Sequence, residues 1–155
     1  MALFDITTKD DLHPQVVNVV DTHIGKGVYA TRDYPSGAVI GEITGDMHAN
    51  PYEGTDYTFE ADDGHQLEPH EPFRYLNHSC LPNCEFDWVH SPATGDSPAS
   101  SGLYLISVRE IRAEEQFSID YRWPASYAIP CQCKESVCRG WIVDQTQLDQ
   151  LPLSS

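Results

Sequence analysis

Three of the chain's five cysteines crowd into Cys131-Gln-Cys133-Lys-Glu-Ser-Val-Cys138, a run with too few apolar residues to serve as core. In a reducing compartment, thiols this close favour a metal over disulfides. Zinc takes four tetrahedral ligands and suits thiolates, so the run asks for one more ligand from elsewhere in the chain. Cys80, Cys84 or a histidine is left to supply it. Four thiolates on one zinc leave a local charge of about -2, which Lys134 and Arg139 beside them would partly offset. Reduced structural cysteines are the competing reading.

Eleven prolines and ten glycines in 155 residues point to many turns rather than long helices, hence to a mainly β protein. The length is that of one domain that needs no disulfides. Residues 16–20, 27–32 and 38–43 read as strands joined by tight turns, the last after Tyr34-Pro35-Ser36-Gly37. Residues 56–61 alternate, with Tyr57 and Phe59 on one face and Asp56, Thr58 and Glu60 on the other, so Phe59 is expected to face the core. Segments 84–90 and 102–109 flank SPATGDSPASS, which predicts a hairpin with a flexible tip. Residues 117–121 form a further strand candidate, and 145–151 an amphipathic stub.

Nine Lys plus Arg against 24 Asp plus Glu give a net charge of -15, which argues against direct nucleic-acid or membrane binding. Between Arg32 and Arg74 there is no cationic residue except histidine, but there are Asp33, Glu42, Asp46, Glu53, Asp56, Glu60, Asp62, Asp63, Glu68 and Glu71. A cationic partner would be drawn there, although a solvated face is the plainer reading of any charge run. The first twenty residues lack a basic segment followed by an apolar core, and no stretch approaches membrane-spanning length. The expectation is an intracellular protein, nuclear or cytosolic and not secreted. Asn77-His78-Ser79 is then a chance match to a glycosylation sequon.

Three further elements carry chemistry only in combination. In Gly25-Lys26-Gly27-Val28-Tyr29-Ala30 two glycines let backbone approach a ligand closely. In Arg74-Tyr75-Leu76-Asn77-His78-Ser79-Cys80-Leu81-Pro82-Asn83-Cys84 polar residues sit inside an apolar frame and demand partners, and Asn77 can meet a ligand through both its amide and its carbonyl. Glu114-Glu115-Gln116-Phe117-Ser118-Ile119-Asp120-Tyr121 ends in an acid and a phenol. Each alone has an ordinary explanation: a turn, a loop with a satisfied histidine, an edge strand.

Read in order, these pieces resemble the SET domain of lysine methyltransferases: a GxG segment, R-x-x-N-H-S-C-x-P-N, E-x-x-x-x-D-Y, and a post-SET tail similar to C-x-C-x4-C-R-G-W. The resemblance implies several short curved sheets, few short helices and a knot-like C-terminal segment. It divides the chain into an N-terminal segment (1–15), the SET domain (16–123), the post-SET zinc-binding segment (124–143) and a tail (144–155). The pre-SET cysteine cluster of some relatives has no counterpart before Val16.

The resemblance further implies that Lys26, Gly27, Val28, Tyr29, Arg74, Asn77, His78 and Tyr121 surround S-adenosylmethionine, with Trp141 stacked on its adenine. Cys80 joins Cys131, Cys133 and Cys138 on one zinc, leaving Cys84 over. Tyr121 is the catalytic tyrosine, Tyr57 a second aromatic of the lysine channel, and Ile119 stands where many relatives carry the Phe or Tyr that limits the number of methyl groups. Ile119 has no hydroxyl to anchor a water, which favours higher methylation. The implied activity is methylation of a protein lysine, a basic histone tail being the leading substrate. A non-histone substrate, a catalytically silent SET-like module that binds a peptide, and a small zinc-stabilised binding domain without cofactor are the alternatives. The oligomeric state is not legible.

Overall fold

The computed structural model describes residues 17–22, 25–48, 58–60 and 66–152. As the turn-rich composition predicts, these residues are mainly β. Among the described residues short strands form five small sheets, and the helical turns are 3-10 turns at Phe73–Tyr75, Ala125–Tyr127 and Gln145–Gln150.

Strand β1 (Val17–Thr22) pairs antiparallel with β2 (Gly25–Ala30), Thr22 opposite Gly25. The pairing begins at the first glycine, two residues earlier than expected, because Gly25 adopts φ +108, a left-handed conformation open to glycine, and its carbonyl accepts the Thr22 hydroxyl at 2.6 Å. Strand β3 (Val39–Ile43) follows a turn closed by Gly37 at φ +80. It lies beside β9 in a sheet of order β3-β9-β8, with β8 spanning Cys84–Ser91 and β9 Ser100–Ser107.

The β8–β9 hairpin is longer than its hydrophobic pattern suggested. Ser100 and Ser101 join the ladder opposite Ser91 and His90. The serine-rich tip is also closed rather than loose, since Thr94 and Ser97 exchange backbone hydrogen bonds of 3.0 and 2.6 Å.

Strands β4 (Gly45–His48), β5 (Phe59–Glu60) and β6 (Gln66–Pro69) form a sheet of order β4-β6-β5. The first and last of these were not anticipated, because neither GDMH nor QLEP carries a β-branched or aromatic residue. Tyr57 and the rest of 49–57 and 61–65 lie outside the described residues, as do 1–16, 23–24 and 153–155, and with them most of the expected 56–61 strand.

Two-residue strands β7 (Asn77–His78) and β10 (Ser118–Ile119) pair in parallel, Asn77 opposite Ser118 and His78 opposite Ile119. Strand β10 is shorter than the expected 117–121 for a chemical reason: the Tyr121 N–H goes to the His78 ring instead of to a neighbouring strand. This parallel pair brings the C-terminal half of the chain against its middle, as the knot-like expectation requires. Strands β11 (Ile129–Pro130) and β12 (Trp141–Ile142) then close the cysteine-rich segment on itself. The stub at Gln145–Gln150 is a 3-10 helix capped by Asp144, whose carboxylate accepts the Thr146 N–H at 2.8 Å.

The core beneath the site is built from β2, β3, β9 and the segment around β10. Val28, Ile40, Leu105, Phe117 and Ile119 are all buried, and the Tyr34 and Phe117 rings meet edge to face with centroids 5.8 Å apart. Removing these surfaces from water stabilises the frame on which the polar motifs sit.

Candidate active site

The GxG strand and the Asn77-His78 pair meet directly. Asn77 donates its side-chain amide to the Lys26 carbonyl at 2.9 Å and to Gln116 Oε1 at 2.8 Å. Both N–H groups of Asn77 are therefore engaged within the protein, and its Oδ1 is the atom left to accept from a ligand. Gly27 is fixed by the same contact: a Cβ there would lie 2.6 Å from Gln116 Oε1 and 2.9 Å from Thr22 Cγ2. Around Gly25, by contrast, an added Cβ would have nothing within 4 Å among the described residues. The two glycines thus differ, one packing against Gln116 and the other bordering open space that suits close approach by a ligand.

His78 is buried and bridges two motifs. Its Nδ1 accepts the Tyr121 N–H at 3.1 Å, which puts the ring proton on Nε2, 3.5 Å from Cys80 Sγ. Burial lowers its pKa to about 4, against the pull of Asp120 and with the aid of the Arg139 charge. The ring is neutral near neutral pH. Tyr121 is half-buried between the His78 ring at 5.4 Å and the Trp123 ring at 5.2 Å, and its hydroxyl donates to the Leu76 carbonyl at 2.5 Å. A phenol that donates in this way can also accept through its oxygen.

The sulfurs of Cys80, Cys131, Cys133 and Cys138 all lie within 4.8 Å of one another. A tetrahedral site with Zn–S bonds of about 2.3 Å needs sulfurs about 3.8 Å apart, and Cys80 and Cys131 are 3.8 Å apart. Backbone N–H groups of Arg139 and Gly140 donate to Cys80 and Cys138 at 3.3 and 3.4 Å, the outer-shell support expected of metal-bound thiolates. Burial raises the Cys80 and Cys131 thiols; at Cys133 it is outweighed by hydrogen bonds, the backbone N–H groups of Cys80 and Glu135 foremost, which leave that thiol at about 7. The donor set and spacing fit one zinc. Cys84 stands apart, 1% exposed in the hydrophobic core.

The sequence model of the family described as "SET domain" matches residues 25–122. The chain belongs to the SET-domain family. The match ends before the three clustered cysteines, whose place beside Cys80 is a finding of the structure. Histone-lysine N-methyltransferase trithorax of Drosophila virilis is 27% identical to this SET domain chain over 151 residues, 87% of the chain and 4% of the relative. Human histone-lysine N-methyltransferase 2D is 30% identical over 135 residues, 76% of the chain and 2% of the relative. The chain therefore spans only a few per cent of the length of these relatives. Among solved structures, KRYPTONITE in complex with mCHH DNA, an H3(1-15) peptide and SAH superposes with a TM-score of 0.67 at 20% identity, covering 81% of this chain and 29% of that one. That likeness shows the shared fold.

The other residues singled out from the SET-domain motifs are spread around this centre. Val28 is buried and Tyr29 bridges to Gln116. Lys26 pairs with Asp21 at 3.4 Å and lies over the Tyr75 ring. Arg74 reaches Glu68 at 3.6 Å, and Glu68 also accepts the Thr58 hydroxyl at 3.0 Å. Glu71 accepts the Tyr75 hydroxyl, so these two acids of the acidic stretch engage the chain itself. Ile119 is only 1% exposed. Trp141 is half-buried, its indole N–H bound to the Pro152 carbonyl at 2.9 Å.

Sequence reasoning overlooked Gln116, Trp123 and the Asp120–Arg139 pair as parts of the site. Arg139 grips Asp120 with two hydrogen bonds, Nη1 to Oδ2 at 3.0 Å and Nη2 to Oδ1 at 2.8 Å. The available signal was the placing of each beside a motif residue: Asp120 before Tyr121, Arg139 after Cys138.

Proposed function

We propose that the chain is an S-adenosylmethionine-dependent protein-lysine N-methyltransferase whose leading substrate is a lysine on a histone tail. The observation that carries this reading is the phenol of Tyr121, tied to Leu76 O one residue before the Asn77-His78 pair that contacts the GxG strand. A candidate cofactor surface and a candidate amine-binding group thus share one short segment. The names of the relatives support the substrate class and, with it, action in the nucleus. No helix among the described residues is long and apolar enough to cross a membrane.

The cofactor-binding surface in this reading comprises Lys26, Gly27, Val28, Tyr29, Arg74, Asn77, His78, Tyr121 and Trp141, with Asn77 Oδ1 the free acceptor. S-adenosylmethionine, when bound, supplies a sulfonium methyl group that is already activated. What the protein must add is alignment of a neutral amine. Free lysine has a pKa of about 10.4, so its proton has to be shed. Rings of Tyr121 and Trp123 beside a neutral His78 disfavour the ammonium by desolvation. The carboxylate nearest to Tyr121 in sequence, Asp120, would oppose this, but the Arg139 guanidinium compensates its charge. Tyr121 Oη then accepts an amine N–H and orients the nitrogen. Tyr57, outside the described residues, is the proposed second wall of the channel, with Ile119 between them in sequence. Cys80, Cys131, Cys133 and Cys138 would hold a zinc that supplies structural cross-linking, since four protein ligands would leave it no open position.

Radiolabelled methyl transfer onto a panel of histones and onto cell extract tests the reading, with Tyr121→Phe as control. Labelled histone bands that vanish in the variant are expected. Measurable cofactor binding with no labelling of any protein would make the chain a silent peptide-binding module instead.

A further inference from the structure

Arg139 follows Cys138 directly, yet its side chain is only 9% exposed and turns toward the opposite motif. Its backbone N–H donates to Cys80 Sγ at 3.3 Å while its guanidinium forks onto both oxygens of Asp120. One residue therefore holds the cysteine cluster with its main chain and the residue before Tyr121 with its side chain.

Asp120 passes that restraint on. Its Oδ1 accepts the Arg122 N–H at 3.1 Å, while the Tyr121 N–H goes to His78 Nδ1 at 3.1 Å. The amide after Tyr121 is thus held by the carboxylate that Arg139 grips, and the Tyr121 amide by the His78 ring beside it. Arg122 has φ +53, a left-handed conformation that a non-glycine residue keeps only when its surroundings impose it. Arg139 Nε is buried without a hydrogen-bond partner among the described residues. The guanidinium therefore sits where the fork on Asp120 puts it rather than where all its donors would be satisfied.

We propose that Arg139 is a positioning residue that makes the placement of Tyr121 depend on the cysteine cluster. Ordering the cluster fixes Arg139, Arg139 fixes Asp120, and Asp120 sets the turn that aims the phenol at Leu76 O. The catalytic consequence rests on the methyltransferase reading given above; the structural linkage does not. A lysine keeps the charge but not the planar fork, so Arg139→Lys is the informative change.

The test compares the full chain, zinc-loaded and chelator-treated, with Arg139→Lys and Asp120→Asn, reading zinc content, residue-specific amide exchange and methyl-transfer kinetics. Arg139→Lys should retain about one zinc per chain. Its Tyr121 and Arg122 amides should exchange at least about tenfold faster while those of Leu103 and Leu105 in β9 stay protected. On a histone peptide, kcat should fall about 10- to 100-fold with KM and cofactor affinity changed by no more than about threefold. Chelation of the unaltered chain should expose the same two amides, and chelation of Arg139→Lys should add little. Loss of zinc in the variant, unchanged exchange at Tyr121 and Arg122, or exchange that rises equally in β9 would each overturn the proposal. Should Arg139→Lys not fold, Asp120→Asn decides by the same criteria. If the unaltered chain transfers no methyl group, the methyltransferase reading fails and the amide exchange still judges the linkage.

Discussion

The side-chain amide of Asn77 reaches back across 51 residues of chain to the carbonyl of Lys26. Its second hydrogen goes to Gln116, which in turn lies against the bare α-carbon of Gly27. Three motifs separated in sequence are locked by one amide group and one missing methyl.

Gly27→Ala is expected to push the Gln116 side chain aside, because its Oε1 occupies the space a Cβ needs. The backbone tolerates this at modest cost, but the Asn77 bond is lost, worth about 0.5–1.5 kcal/mol. Gln116→Ala should lower cofactor affinity by a similar factor, and the double variant should be no worse than either single one. Calorimetric titration with S-adenosylmethionine checks this; strictly additive losses would show that Gly27 acts on the ligand alone.

Tyr121→Phe removes the hydroxyl that bonds Leu76 O while leaving the ring between His78 and Trp123. Turnover should fall about a hundredfold or more, with a melting temperature close to that of the parent. Scintillation counting of methyl transfer and thermal unfolding on the same preparations separate the two effects.

Elemental analysis should find about one zinc per chain. Cys80→Ser should lose it, and Cys84→Ser should keep it. Chelation of the parent should lower its melting temperature, since metal binding and folding of such a segment are linked. Metal retained in the first variant and lost in the second would reassign the fourth ligand.

Burial pushes the Cys84 thiol up to about 12 from an ordinary 9.0. Between these values the unfolded chain loses the proton and the native chain keeps it, so native stability falls as pH rises. This contribution is complete below pH 9 and is lost toward pH 12. Cys84→Ala should therefore flatten the alkaline part of the stability curve relative to the parent, as followed by urea unfolding from pH 8 to pH 11. Parallel curves would mean that Cys84 titrates alike in the native and the unfolded chain.

The strands that carry long apolar patterns were legible because side-chain alternation and turn residues are local signals. The Tyr34-Pro35-Ser36-Gly37 turn and the 84–90 segment are examples. Strands β7 and β10 were not, since two residues carry no periodicity and their pairing joins segments far apart in the chain. The cysteines announced a cluster by spacing, and the resemblance of the Asn-His-Ser-Cys motif already pointed to Cys80; the packing agrees, gathering Cys80 with the other three and leaving Cys84 in the core. The fork between Arg139 and Asp120 was hidden for a further reason: a charged pair on a net acidic chain reads as surface, and its partial burial is visible only once both motifs are folded.

The closed tip of the β8–β9 hairpin has a practical meaning. Seven residues along β8, or about 23 Å of extended strand, separate its outer end at Ser91 from Cys84, which sits opposite Ser107 near the site. Exposed and self-contained at that outer end, the Thr94–Ser97 turn is a place where a fluorescent label or an affinity handle can be attached without cutting into the β8–β9 ladder.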